Sequence, residues 1–289
     1  MVFSEFKDQV LKLAEDESVE LTHIQAVITD YYKDKPLPYL QSVNTFVVGC
    51  GVNLPGEEFK NVSRCSDPPD DRKAYIPLQR GTYPGQQGFY CSMPSDSDYA
   101  TASATCMMET AWEHVEDLTN SRTYLTLSRW QNSRALNLWV LPFSDKSCQK
   151  NRDFERIRKN MSSLVDKRFH DSLDVLASLE FISDAFCENR NKKTYYRITS
   201  PFYNALLSYE QITGTILDGL MYPSANTEKA GLNLLLKKDL VDNKILTCDV
   251  AMMYSMQRLP YNPKHLQLMP ASNEAKPEAD GGLRFSTII

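Results

Sequence analysis

Residues 218–236, which read DGLMYPSANTEKAGLNLLL, decide how we interpret this chain. The segment holds two short apolar runs, GLMY and LNLLL, which have the length of β-strands and are flanked by residues that break regular structure. Pro223 ends the first run because a proline cannot donate a hydrogen bond to a sheet. The pattern predicts two strands, with Ser224 on the turn after the first. Its hydroxyl either contacts a ligand at a strand end or belongs to a solvated turn.

The overall composition is that of a soluble globular protein. The chain has 289 residues, of which 42% are hydrophobic and 24% charged, with a net charge of −5, and it is long enough for one large domain or two ordinary ones. Lysines and arginines do not cluster with aromatic residues, so we expect no nucleic-acid partner. The charged N-terminal sequence and the lack of a long apolar run predict no signal peptide, no membrane segment and a cytoplasmic location.

The cysteines and histidines do not follow the spacing of a metal site. Seven cysteines are scattered along the chain without a CxxC pair, which favours free thiols in a reducing compartment over disulfides or zinc. The four histidines lie far apart in the sequence. We therefore expect no bound metal.

Amphipathic periodicity and composition distinguish the two ends of the chain from its middle. Residues 3–34 predict two amphipathic helices, and Thr22-x-x-Gln25 fits a capping box for the second. The Pro-rich, polar sequence from about residue 260 predicts a tail that is on the surface or poorly ordered. We divide the chain into a helical N-terminal extension (1–40), a central domain (45–258) and a Pro-rich polar tail (259–289).

Strand and helix patterns are mixed along the central part, which predicts an α/β fold of the α+β type. Strands are predicted at 88–91, 123–128 and 135–143, and helices at 102–118 and within 151–187. Residues 194–209 predict a short strand followed by a helix with Pro201 at its first position.

Three polar residues from separate segments are candidates for a functional site. Arg80 precedes a tight Tyr-Pro-Gly turn, Glu109 comes early on the helix predicted after a Phe-Tyr strand, and Ser224 follows the strand described above. Each also has a structural explanation. Arg80 could be a surface residue paired with a carboxylate, and Glu109 could serve the helix dipole. Glu113 is a second candidate for the acidic role.

In this order the three residues resemble the RES-domain family, which is named for its Arg, Glu and Ser. The matching segments are RGTYPGQQGFYCS (80–92), TCMME (105–109), YRITSPFYNALL (196–207) and DGLMYPSANTEKAGLNLLLKKDLVD (218–242). The resemblance covers roughly residues 45–250. It implies an ADP-ribosyltransferase-like fold, in which a split mixed sheet flanked by helices binds NAD.

The resemblance also implies an activity. Family members are typically toxins of bacterial toxin–antitoxin systems that cleave the nicotinamide–ribose bond of NAD, with water or phosphate as acceptor. An NAD glycohydrolase or phosphorylase is therefore expected, with an antitoxin protein as partner and NAD as substrate rather than as a bound cofactor. ADP-ribose transfer to a protein is an alternative.

The residue types suit the roles that the resemblance implies. Arg80 can grip a diphosphate with both of its terminal nitrogens, and Glu109 can stabilise positive charge that develops on the ribose. Ser224 can hydrogen-bond the dinucleotide, so the three side chains are expected to converge on one crevice. A tyrosine ring can stack on nicotinamide. The candidate substrate-binding residues are Tyr90, which could equally be a core residue, Tyr83, Arg64 and Asn233.

The chain departs from the family at an early strand. Family members usually carry an Arg-x-Arg segment there, which aligns with Gly49-Cys50-Gly51 in this sequence. Either Arg64 or Arg80 supplies the missing charge, or the alignment is shifted, or catalysis is weakened or lost. The last possibility predicts a degenerate module that binds a nucleotide or a partner protein without turnover.

Overall fold

The structure is a computed structural model that describes most of the chain in two units. It describes residues 1–35, 37–42, 46–66, 70–94, 99–116, 122–143, 145–150, 152–166, 172–188, 193–227, 230–259 and 262–286. Unit 1 consists of Met1–Ser42, Asp71–Gly88 and Leu136–Ala230, and unit 2 consists of Val43–Asp70, Phe89–Ala135 and Gly231–Ile289. The division into an extension, a central domain and a tail stays a prediction.

Helices and strands are mixed along the chain, which confirms the predicted α/β (α+β) class. In chain order the elements are α1 (Phe3–Glu15), α2 (Leu21–Tyr32), β1 (Tyr39–Gln41), β2 (Phe46–Asn53), two 3-10 turns (Val62–Cys65 and Asp70–Tyr75), β3 (Phe89–Met93), α3 (Tyr99–Glu116), β4 (Thr123–Asn132), β5 (Asn137–Val140), α4 (Asp145–Lys150), α5 (Arg152–Asp166), α6 (Ser172–Phe186), α7 (Lys193–Thr213), β6 (Gly219–Pro223), β7 (Leu232–Leu236), α8 (Asp239–Asp242), β8 (Leu246–Leu259) and β9 (Asn262–Pro270). The ADP-ribosyltransferase-like architecture stays a prediction.

In unit 1, helices pack around a small mixed sheet. Strand β1 is antiparallel to β5, and β5 is parallel to β6. The two predicted N-terminal helices are confirmed and belong to the core of this unit. Phe6 on α1 stacks on Tyr31 of α2 with ring centroids 3.9 Å apart, and the Tyr32 hydroxyl donates to Ser178 Oγ on α6 at 3.0 Å. Aromatic burial therefore fixes α1 and α2 against the helices of unit 1.

Two predicted helix starts are wrong. The helix α2 begins at Leu21, and Glu20 is its N-cap residue. Thr22 therefore lies inside the first turn and does not occupy the N-cap position that the predicted capping box requires. The helix α7 begins at Lys193, so the predicted strand at 194 is absent and Pro201 lies inside the helix. The β-branched and aromatic residues at the start of α7 favour strands locally, but burial of its apolar side against the neighbouring helices outweighs that preference.

Unit 2 contains six antiparallel strands in the order β7-β3-β2-β4-β8-β9. Residues directly opposite each other on neighbouring strands point to the same face of a sheet. Val48 lies opposite Ser92, and Ser92 lies opposite Asn233. Val48 packs in one apolar cluster with Cys106 and Ala111 of α3. We therefore call the side that carries Val48, Ser92 and Asn233 the α3 face.

The tail is ordered where the structure describes it. Strand β9 pairs with β8, Ala275 forms a bridge with Ala251 of β8, and Leu283 is buried. Of the two predictions for the tail, the poorly ordered one is therefore wrong for residues 262–286. Among the helices that the structure describes, none combines the length and the apolar character required to cross a bilayer.

Candidate functional site

Arg80 is a buried cation of unit 1. The residue is 7% exposed, and both terminal nitrogens donate to the carbonyl oxygen of Glu188 at 3.4 Å. Its guanidinium carbon lies 5.6 Å from the ring centroid of Tyr196. The carbonyl oxygen and the ring face contribute to the negative potential that a buried cation needs. The alternative of a surface residue is therefore wrong.

Ser224 follows β6 directly and is fully buried. Its Oγ accepts a hydrogen bond from the backbone N–H of Thr227 at 3.3 Å, which closes a short turn. The predicted strands on either side of this turn are confirmed as β6 and β7, and Pro223 is the last residue of β6. Because the hydroxyl is buried, the alternative of a solvated turn is wrong.

The structure brings Arg80 and Ser224 to one short segment at the end of α6. The thiol of Cys187 contacts the carbonyl oxygen of Pro223, with the sulfur 3.6 Å from the oxygen, while Arg80 donates to Glu188, the next residue. Ser224 itself follows Pro223. We call Arg80, Cys187, Glu188, Tyr196 and Ser224 the α6-end cluster. Residues far apart in sequence thus share one anchor within unit 1.

Tyr83, also in unit 1, has a packing role. Its hydroxyl donates to Gln25 Oε1 at 2.8 Å, with the carbonyl oxygen of Leu21 as a second, more distant acceptor at 3.3 Å. Burial raises the pKa of Tyr83, so the hydroxyl stays a donor at neutral pH. Tyr83 therefore holds the Tyr-Pro-Gly turn against α2 by hydrogen bonding. Stacking of its ring on nicotinamide stays a prediction.

Glu109 lies in the second half of α3 in unit 2. The helix begins at Tyr99, whose ring packs 6.0 Å from that of Phe46, so the prediction that Glu109 lies near the N-terminus is wrong. The helix dipole acts mainly within the first turn, and it no longer explains this carboxylate. One turn earlier, a methyl group built on Gly231 would lie 2.3 Å from Thr105 Oγ1. Glu109 therefore lies along the side of α3 that borders β7.

Tyr90 and Asn233 are on the sheet face that α3 covers. Tyr90 is two residues from Ser92 on β3, so both side chains point to the α3 face. The Ser92 hydroxyl donates to Asn233 Oδ1 at 3.1 Å, and both residues are buried. In unit 2, Glu109 on α3 therefore lies on the same side of the sheet as Tyr90 and Asn233. Ser92 was missed from the sequence, where the only signal is a small polar residue within an apolar strand.

Arg64 lies on the opposite face of this sheet. Its Nη2 is 3.1 Å from Glu57 Oε1, and its guanidinium carbon is 4.6 Å from the ring centroid of Phe59. Phe59 in turn lies beside Gly51, which points away from α3 because it alternates with Cys50. Arg64 and Glu109 therefore lie on opposite sides of this sheet.

Aromatic rings lie against Gly49 and Gly51, which the predicted resemblance aligns with the early arginines of the RES-domain family. A methyl group on Gly49 would lie 2.8 Å from Phe89 Cε2, and one on Gly51 would lie 2.7 Å from Phe59 Cε2. Both distances are shorter than carbon atoms tolerate without displacement. An arginine at either position would require the rings to move. The packing of β2 therefore requires residues without a side chain at both positions.

The cysteines are reduced, and burial makes those in the sheet core unreactive. All seven lie in described ranges, and none of them forms a disulfide bond. Burial raises the pKa of Cys65 to about 12, and a hydrogen bond with Cys106 together with burial raises that of Cys50. A protonated thiol is a poor nucleophile. Within the described ranges no group of His, Cys, Asp and Glu is arranged to hold a metal ion.

The candidate residues are distributed over both units. Arg80, Tyr83 and Ser224 belong to unit 1, and Glu109, Tyr90, Arg64 and Asn233 belong to unit 2. Convergence of Arg80, Glu109 and Ser224 on one crevice stays a prediction. The chain matches no protein-family model, and a search of the curated proteins gives no match either.

Proposed function

We propose that this protein consumes NAD by cleaving the bond between nicotinamide and ribose, with water or phosphate as acceptor. The observation that carries the proposal is the α6-end cluster. Arg80 and Ser224 are both buried, Arg80 donates to Glu188, and Pro223, the residue before Ser224, contacts Cys187. A buried cation and a buried hydroxyl at a strand end are the groups that an anionic, hydroxyl-rich ligand requires.

Arg80 and Ser224 are the proposed binding residues. A guanidinium that directs two nitrogens at one oxygen can also direct them at a phosphate group. Its attraction for an anion is stronger in a buried position than in water. The Ser224 hydroxyl would donate to an oxygen of the dinucleotide and fix its orientation.

Glu109 is the proposed catalytic residue. Cleavage breaks the bond between the ribose carbon and the nicotinamide nitrogen, and the electron pair leaves with nicotinamide, which becomes neutral. Positive charge then develops on the ribose, as in glycoside cleavage, and a carboxylate stabilises it. Water attacks the same carbon and loses a proton to the solvent, or phosphate attacks it through an anionic oxygen. Tyr90 would stack on the nicotinamide ring.

The resemblance also supports a biological setting for this chemistry. An enzyme that depletes NAD harms the cell that makes it, so we propose a cytoplasmic toxin or defence effector. Such an enzyme needs a protein inhibitor, and an antitoxin is the proposed partner.

Ser224→Ala is expected to lower nicotinamide release from NAD by about 100-fold, because one preorganised donor to the substrate is lost. The measurement is the initial rate of release by the purified full-length protein. Ser183→Ala is the matched control, since Ser183 is also a buried serine of unit 1 and its hydroxyl donates to the backbone carbonyl oxygen of Pro142. An equal effect of both substitutions, or of neither, would remove Ser224 from the site.

The packing of Gly49 and Gly51 favours a second candidate function, a module that binds a nucleotide or a partner protein without turnover. The rings of Phe89 and Phe59 leave no room for the arginines of the family pattern. Calorimetry that detects NAD binding without nicotinamide release would support this candidate, and rapid release would rule it out.

A further inference from the structure

Ser200 on α7 carries a buried hydroxyl that the fold does not use. The residue is fully buried, and among the residues that the structure describes its Oγ has no hydrogen-bond partner. Buried hydroxyls are almost always hydrogen-bonded, because leaving one without a partner costs stability. Such a group therefore calls for a partner outside the fold, such as a ligand.

Its position on α7 places it beneath the segment that carries Arg80. Residues one turn apart lie on the same side of a helix, so Tyr196, Ser200 and Asn204 line up. Arg80 lies over the ring of Tyr196. Six residues later, Gln86 Nε2 donates to Asn204 Oδ1 at 3.1 Å and Gln86 Oε1 accepts from Asn204 Nδ2 at 3.0 Å. The segment 80–86 thus follows this side of α7, with Ser200 between the two contacts.

We propose that Ser200 and Arg80 form a subsite for a phosphate-type oxyanion. The guanidinium supplies the charge, and the hydroxyl of Ser200 donates to an oxygen of the same phosphate group. The choice of the diphosphate of a dinucleotide as the ligand rests on the proposed function, and free phosphate carries the same chemistry.

The contacts of Arg80 are compatible with this role. The hydrogen bonds from the two terminal nitrogens of Arg80 to the Glu188 carbonyl oxygen are 3.4 Å long, whereas a guanidinium binds an anionic oxygen at about 2.7–2.9 Å. A phosphate oxygen is therefore a stronger partner than this carbonyl. The hydroxyl gives the subsite a second, neutral donor at a fixed place on a helix, which selects for an oxygen-rich anion over a simple halide.

The test is calorimetric titration of the full-length protein with ADP-ribose and with inorganic phosphate. Ser200→Ala is expected to weaken binding about tenfold, since one hydrogen bond to a charged group is lost. The same substitution should leave the thermal midpoint unchanged or raise it, because it removes a buried hydroxyl without a partner. Arg80→Lys keeps the positive charge but loses the pair of planar guanidinium nitrogens, so it should weaken binding at least as strongly.

Ser208→Ala is the matched control on the same helix. The Ser208 hydroxyl donates to the carbonyl oxygen of Asn204 at 3.1 Å and accepts from Gln25 Nε2 at 3.1 Å. Its loss should leave anion binding unchanged and should not raise the thermal midpoint. This pair of variants separates an effect on the ligand from a general effect on α7.

Each outcome decides the proposal. Weaker ADP-ribose binding by Ser200→Ala supports the subsite, and weaker phosphate binding as well extends it to any phosphate. If Ser200→Ala binds both ligands as tightly as the wild type, or if the wild type binds neither ligand, the proposal is overturned. If the wild type releases no nicotinamide while anion binding depends on Ser200, the subsite stands and the proposed function fails.

Discussion

Nicotinamide release from NAD is expected to fall about 1000-fold when Glu109 is replaced by glutamine. The amide keeps the shape of the side chain and an acceptor oxygen, but it cannot oppose the positive charge that develops on the ribose. Glutamine and glutamate have similar helix propensities, so α3 and the thermal midpoint should be unaffected. The measurement compares initial rates of nicotinamide release and thermal unfolding of the two purified proteins.

Glu113→Gln is the matched control for this prediction. Glu113 lies one turn further along α3 and is the rival carboxylate in the sequence. Its replacement should leave the rate within a few-fold of the wild type. Loss of activity in Glu113→Gln alone would move the catalytic role to that residue, and full activity in both variants would contradict a catalytic carboxylate on α3.

Gly51→Ala is expected to lower the free energy of unfolding by about 2 kcal/mol. The added methyl group would lie 2.7 Å from Cε2 and 2.9 Å from Cζ of the Phe59 ring. That ring is 2% exposed and has the guanidinium of Arg64 against it, so it cannot move aside freely. Arginine at the same position should cost more. Urea unfolding of the full-length protein measures both effects.

A double-mutant cycle with Phe59→Leu identifies the cause. In the Phe59→Leu background, the cost of Gly51→Ala should fall by at least half, because the ring that the methyl group meets is gone. Gly56→Ala is the control, since Gly56 has a φ of 76° and no atom within 4 Å of an added methyl group. Its cost, about 1 kcal/mol from the left-handed backbone, should not change with Phe59. An unchanged cost at Gly51 in both backgrounds would contradict the packing explanation.

The Glu109 prediction tests the catalytic role, and the Gly51 prediction tests the packing of β2. If Gly51 cannot accept a side chain, the positive charge that the predicted resemblance places on this strand must come from elsewhere for the proposed activity. Arg64 is on the sheet face opposite α3, and Arg80 is in the α6-end cluster. Arg80 is therefore the arginine on which the proposed activity depends.

Most strands and helices could be predicted from the sequence because their signals are local. The apolar runs that form β6 and β7 and the periodicity of α1 and α2 lie within short windows. The start of α7 could not be predicted, because the preference of Tyr195 and Tyr196 for strands is local whereas the burial that overrides it is not. The alternation of the two units along the chain also depends on contacts between distant segments.

The environment of the candidate site was harder to predict for the same reason. Arg80 is buried because it contacts Glu188, which is 108 residues away in sequence. The ring of Phe59 lies beside Gly51, a contact that the sequence around Gly51 does not reveal. Ser200 precedes the predicted helix start at Pro201, and only the continuous α7 reveals a buried hydroxyl inside the helix.

Product analysis after incubation of the purified full-length protein with NAD tests the proposed function most directly. We expect equal amounts of nicotinamide and ADP-ribose when water is the only acceptor. With phosphate present, we expect nicotinamide and either ADP-ribose or its 1-phosphate ester, according to which acceptor the site prefers. Intact NAD after prolonged incubation with protein that unfolds cooperatively on heating would contradict the proposed activity.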